Sequence, residues 1–127
     1  MVDLPWVRMA TAGDREYLAI VSYLPLRRYR TIPGFIRYYR AIGRQLRRSR
    51  GLVGFSLRAK FLARKFYTVS VWEDERALME FVRAAPHLDT MQVLPPELGE
   101  TKFVRWTLAG TEVPPTWERA IQVLERG

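Results

Sequence analysis

The spacing of apolar and polar residues changes period several times along the chain, and each change marks an element. Residues 16–24, EYLAIVSYL, split into two alternating sets, Tyr17, Ala19, Val21, Tyr23 and Leu18, Ile20, Ser22, Leu24. That period of two, rich in β-branched and aromatic residues, predicts a strand. Both sets are largely apolar, so this strand needs cover on both faces. Residues 30–51, RTIPGFIRYYRAIGRQLRRSRG, switch to helical spacing, with Phe35, Tyr39, Ile42 and Leu46 on one stripe. Thr31 is placed to cap this helix, Pro33 fits its first turn, and Gly51 suits the left-handed position after it.

Residues 52–60, LVGFSLRAK, and 64–72, RKFYTVSVW, read as two strands joined by the short connector Phe61 to Ala63, an antiparallel hairpin. Residues 73–85 return to helical spacing, with acids in the first turn and Ala77, Leu78, Phe81, Val82 and Ala85 as the apolar stripe. Pro86 stops or kinks that helix. A loop containing Pro95-Pro96 leads to a fourth strand, residues 101–109, and Pro114-Pro115 precedes a final helix ending near residue 126. The order βαββαβ is that of a ferredoxin-like α+β domain, with two helices on one face of an antiparallel sheet plus a C-terminal helix. The chain, 127 residues, is the size of one domain, with a core spanning about residues 16–109. Cover for the second sheet face is expected from a second copy, which makes the protein a homodimer.

Charge is unevenly placed. Between Tyr17 and Trp72 there are thirteen basic residues and no acid, so all thirteen acids lie outside that segment, within a net charge of +8. Such a field attracts phosphates, carboxylates, anionic lipid or nucleic acid. Without cysteine there is no disulfide, thiol nucleophile or thiolate metal site, and one histidine does not make a zinc site, so no metal is expected. No apolar stretch approaches the roughly 20 residues of a membrane span, and the N-terminal residues contain no long apolar run. A soluble, cytoplasmic protein is expected. G-x-G-x-x-G and P-loop motifs are absent.

The candidate chemistry is concentrated in VSVWEDERALMEFVRAAPHLDTM, residues 69–91, which holds the sole histidine, His87. An imidazole near its usual pKa suits proton transfer at neutral pH. Its structural alternative is a residue at a helix end, where the dipole favours the charged form. Trp72 closes a strand and can either pack the core or shape a pocket. Tyr23, Tyr39 and Tyr67 are candidates to line a cavity for an aromatic ligand, and Ser22 and Ser70 could donate hydrogen bonds to it. Arg37, Arg40, Arg44 and Arg47 form either a solvated face, a site for anions such as haem propionates or acidic lipid, or a nucleic-acid surface.

Quoted as it stands, YTVSVWEDERALMEFVRAAPH, residues 67–87, with the preceding GLVGFSLRAK, residues 51–60, resembles the antibiotic-biosynthesis-monooxygenase-like superfamily of dimeric α/β barrels. The resemblance implies a dimer whose protomers each hold a cavity between sheet and helices. It also implies oxygenation of a hydrophobic aromatic molecule with no cofactor expected, His87 holding or taking a proton and Trp72 orienting the ring. Haem-degrading members make haem possible; there a Trp, a His and an Asn form the site. Trp72 and His87 match the first two. The chain contains no asparagine, and its first strand offers Ser22 and Tyr23 instead.

Overall fold

The structure is a computed structural model describing all 127 residues. Its elements in chain order are β1 (Val2–Asp3), β2 (Val7–Arg8), β3 (Glu16–Pro25), α1 (Ile32–Leu46), β4 (Leu52–Lys60), β5 (Lys65–Trp72), α2 (Glu75–Arg83), α3 (His87–Val93), β6 (Lys102–Ala109) and α4 (Trp117–Arg126). All strands join one antiparallel sheet in the order β1-β4-β5-β3-β6, with β2 also pairing with β4. This is the expected ferredoxin-like α+β sheet. Two short strands were not legible because each is two residues long and Pro5 lies between them, leaving no periodicity. No helix is long and apolar enough to cross a membrane.

Register decides which side chains share a face. Leu18, Ile20, Ser22 and Leu24 of β3 stand opposite Trp72, Ser70, Thr68 and Phe66 of β5. Phe55 and Leu57 of β4 continue that row, as do Phe103, Arg105 and Thr107 of β6. This is the face under α1, α2 and α3. It carries two apolar clusters, one around Phe35, Leu57 and Phe66 and the other around Leu46, Phe55, Trp72 and Phe81.

The opposite face holds Ala19, Val21, Val69 and Val71, all at most 2 % exposed. Its cover comes from the same chain. Ala120 and Leu124 of α4 pack on Val21 and Val69, while Trp6 and Trp106 lie beside them. Trp6 sits over Gly54, where any Cβ would come within 2.4 Å of the indole. A second copy is therefore not needed to bury these residues, which corrects the reason for expecting a dimer through this face. The C-terminal helix, expected as an appendage, is part of the core.

Local signals explain the helix ends. Asp74 caps α2 by accepting from the Ala77 amide at 2.8 Å, and Thr116 caps α4 by accepting from Arg119 at 3.0 Å. Thr31 precedes α1, but its hydroxyl donates to Glu97 at 2.9 Å instead of capping. Helix α1 ends at Leu46; turns follow, and Gly51 takes the left-handed backbone at φ 79°. The stretch after Pro86 is not a loop. It forms α3 and a 3-10 turn at Pro95–Glu97.

Candidate functional site

Between the helices and the sheet lies a cavity of about 410 Å³, within the range of small-molecule sites. Its floor is built by β3 and β5, which place Ser22, Thr68 and Ser70 side by side among apolar neighbours. Helix α1 contributes Phe35, Tyr38, Tyr39 and Ile42, α2 contributes Leu78, Met79, Phe81 and Val82, and α3 contributes His87, Thr90 and Met91. Phe103 and Arg105 of the edge strand β6 stand at its more exposed side. The lining is mostly apolar, so a hydrophobic ligand would displace water at little cost and the few polar groups would set its orientation.

His87 opens α3 instead of closing α2, which corrects the expected helix-end placement. At the positive end of a helix the dipole opposes protonation instead of favouring it. Burial likewise holds the imidazole below its ordinary pKa of 6.5, against an opposing contribution from the Val82 carbonyl. His87 Nδ1 lies 3.2 Å from that carbonyl, which can only accept, so Nδ1 carries the proton. The neutral ring then keeps a free lone pair on Nε2.

The ring is fixed from two sides. Phe81 packs against it at a centroid distance of 4.8 Å, and Trp72 packs against Phe81 at 5.2 Å. The buried amide of Gln45, on α1, receives the His87 backbone N–H at 2.8 Å and donates to the carbonyls of Phe81 and Ala84 at 2.9 and 3.2 Å. One side chain thus ties three helices together where the histidine begins. Sequence reasoning passed over Gln45, although a glutamine beside Leu46 on the apolar side of an arginine-rich helix is the available signal.

Trp72 does not line the cavity as expected. It is fully buried beside the cavity, on the same sheet face and against Phe81, and its Nε1 donates to Ser70 Oγ at 2.8 Å, leaving the serine hydroxyl hydrogen free to point elsewhere. Ser22 and Tyr39 are in the lining; burial raises the Tyr39 pKa against the lowering effect of Arg47, so the phenol stays protonated. Tyr23 and Tyr67 are not. They stand opposite each other on the other sheet face, rings 5.2 Å apart, packed among α4 residues, because their odd-numbered register points away from Ser22 and Thr68. Arg105 was also missed; it reaches Glu75 at 3.2 Å and Met79 Sδ at 3.5 Å. Alternation along 101–109 places it with Phe103, which is the signal that could have found it.

No family model and no curated protein matches the chain. Solved structures do. PA3566 from Pseudomonas aeruginosa superposes with a TM-score of 0.65 at 17% identity, covering 74% of this chain and 95% of that one. An antibiotic biosynthesis monooxygenase gives 0.63 at 13% identity, covering 70% and 95%. SnoaB from Streptomyces nogalater, a cofactor-independent oxygenase, gives 0.63 at 16% identity, covering 80% and 100%. The chain has the antibiotic-biosynthesis-monooxygenase-like fold. At these identities the likeness is one of fold, and the chemistry must come from the residues in the cavity.

In this fold the three arginines of α1 and Arg47, which follows it, stand apart from the cavity lining. Arg37, Arg40, Arg44 and Arg47 are exposed, and none reaches a carboxylate within salt-bridge distance. Their spacing of three, four and three residues puts them on one stripe. Arg47 also lies 5.8 Å over the Phe55 ring.

Proposed function

We propose that the chain binds a flat, hydrophobic aromatic molecule in this cavity and oxygenates it without a tightly held organic cofactor. The observation that carries the reading is the geometry of His87, whose Nδ1 lies 3.2 Å from the Val82 carbonyl while Nε2 has no hydrogen-bond partner, in a largely apolar cavity whose floor presents three hydroxyls. A base works best when it is unprotonated at working pH and close to the proton it removes. The low pKa set by burial meets the first condition; the apolar walls favour the second by holding the ring in place and excluding water.

For a polycyclic quinol the balance is simple. Nε2 takes the proton of a phenolic O–H, and the electron-rich ring carbon bonds to O₂. The O–O bond then breaks, one oxygen staying as a hydroxyl and the other leaving as water, so quinol and O₂ give hydroxyquinone and water. Ser22 and Ser70 would hold the ring oxygens, and Trp72 and Phe81 would keep His87 in place. In this reading His87 is the catalytic base, Ser22, Ser70 and Tyr39 contact the ligand, and Trp72 is a positioning residue. Homodimerisation also belongs to it, through a surface other than the face covered by α4.

The test is oxygen uptake with a polycyclic quinol, compared between the protein and its His87→Ala variant, with quinol binding followed separately. Turnover should fall by about 100-fold, the lower end of general-base effects, while binding changes little. Unchanged turnover in the variant would overturn the reading.

Haem is the second reading, favoured by the same free Nε2, which is a competent axial ligand. The donor groups fit it incompletely: Arg105 is the one cation in the cavity lining for two propionates, and it already reaches Glu75. A haemin titration decides. A saturable Soret shift that His87→Ala abolishes would put haem chemistry first.

A further inference from the structure

The β4–β5 hairpin ends in a turn that displays its apolar residues instead of burying them. Leu62 is 89% exposed, Phe61 40% and, on the neighbouring 3-10 turn, Tyr29 53%. The display is rigidly braced. Arg64 takes the left-handed conformation at φ 55° and its amide donates to the Phe61 carbonyl at 3.0 Å. The Tyr29 hydroxyl donates to the Leu62 carbonyl, the Arg64 guanidinium lies 4.5 Å over the Tyr29 ring, and Phe61 meets Phe66 edge-on. A leucine tip held this way contributes nothing to the core, so its apolar surface is available to something outside the molecule.

Around this tip the charge is almost all of one sign. Lys60 and Lys65 face each other at the hairpin end, Arg64 follows the turn, and Arg27, Arg28 and Arg30 flank Tyr29. The acid tied into this cluster, Glu97, is taken up by Arg28 through two 2.9 Å hydrogen bonds and by Thr31. Arg30 also lines, with Arg37 and Val93, a groove at the start of α1, and Val93 is 58% exposed. The basic, apolar zone therefore runs from the hairpin onto the helix.

We propose that this end of the molecule docks on the surface of an anionic lipid bilayer, with Leu62 and Phe61 entering the headgroup boundary and the surrounding lysines and arginines facing the lipid phosphates. An exposed aliphatic tip within a cationic ring matches an interface that is apolar below and anionic above. It matches nucleic acid poorly: Leu62 offers no stacking face, and Phe61 is turned edge-on to Phe66. The arginines at the far end of α1, Arg44 within it and Arg47 just after it, are separate from the tip and provide a control.

The experiment is co-sedimentation of the whole protein with vesicles of phosphatidylcholine alone and of phosphatidylcholine mixed with phosphatidylglycerol, across a salt series. Binding is expected to the mixed vesicles only and to weaken with salt. Leu62→Ser should reduce it at least tenfold, and Arg30→Ala by about fivefold, the effect of one interfacial cation. Arg44→Ala with Arg47→Ala should leave it within about twofold. Leu62 is too exposed for its replacement to unfold the chain, and circular dichroism verifies that. No binding to the mixed vesicles, binding indifferent to Leu62→Ser, or preference for duplex DNA that depends on Arg44 and Arg47 would each overturn the proposal.

Discussion

His87 shows how placement inverts the behaviour of a residue. The imidazole alone titrates near 6.5, but burial depresses that value, with the Val82 carbonyl opposing. The sign of the pH dependence follows. In the unfolded chain the ring takes a proton as pH falls through about 6.5, whereas the folded ring still resists it. Stability contributed by the neutral, buried ring is fully present above the unfolded pKa and is lost as pH falls through the folded one. Urea midpoints measured from about pH 8 to about pH 5 should therefore decline on the acid side, and His87→Gln should flatten that decline. A decline of equal size in the variant would assign it to other groups.

At the scale of elements, the joint between α1, α2 and α3 depends on Gln45. Replacing it with Leu keeps much of the volume but leaves the Phe81 and Ala84 carbonyls and the His87 amide without their partner. The expected loss is about 2–3 kcal/mol, typical of buried backbone groups deprived of a hydrogen bond, read by denaturant unfolding. Affinity for a cavity ligand should fall as well, because α3 begins at the freed amide. The stripe Phe35, Tyr39, Ile42 and Leu46 was legible because one apolar face of a helix repeats visibly. Helix α3 was not. It spans seven residues, follows a proline and carries too few turns to show a period.

For the whole molecule, the second sheet face is the decisive feature. Leu124 is 7% exposed and packs with Val21, Val69 and Ala120. Leu124→Asp would place a carboxylate in that layer and should cost about 3 kcal/mol or more, through lost burial and a charge without a partner. Loosening α4 would also bare Val21 and Val69. Sedimentation velocity should then show larger species in the variant than in the parent protein. If the variant kept the parent's stability and size, α4 would not be the cover of this face.

The sequence by itself determined the four long strands and their flanking helices, since alternation at two and repetition near 3.6 are written locally in the residues that make each element. It also exposed the acid-free basic segment and the histidine, which are matters of composition. Only the tertiary structure decided which of these residues meet. Register turned Ser22 and Thr68 toward the cavity and Tyr23 and Tyr67 away from it, a choice the sequence does not make because both alternating sets of β3 are largely apolar. Long-range packing brought Arg105 to the cavity wall, buried Trp72 against Phe81 beside the cavity and set Gln45 against α3. It also folded α4 onto the face for which a second copy had been expected. The physical reason is the same in each case. Local patterns say that a face is apolar, but what covers it depends on contacts between residues tens of positions apart, and a site is made of such contacts.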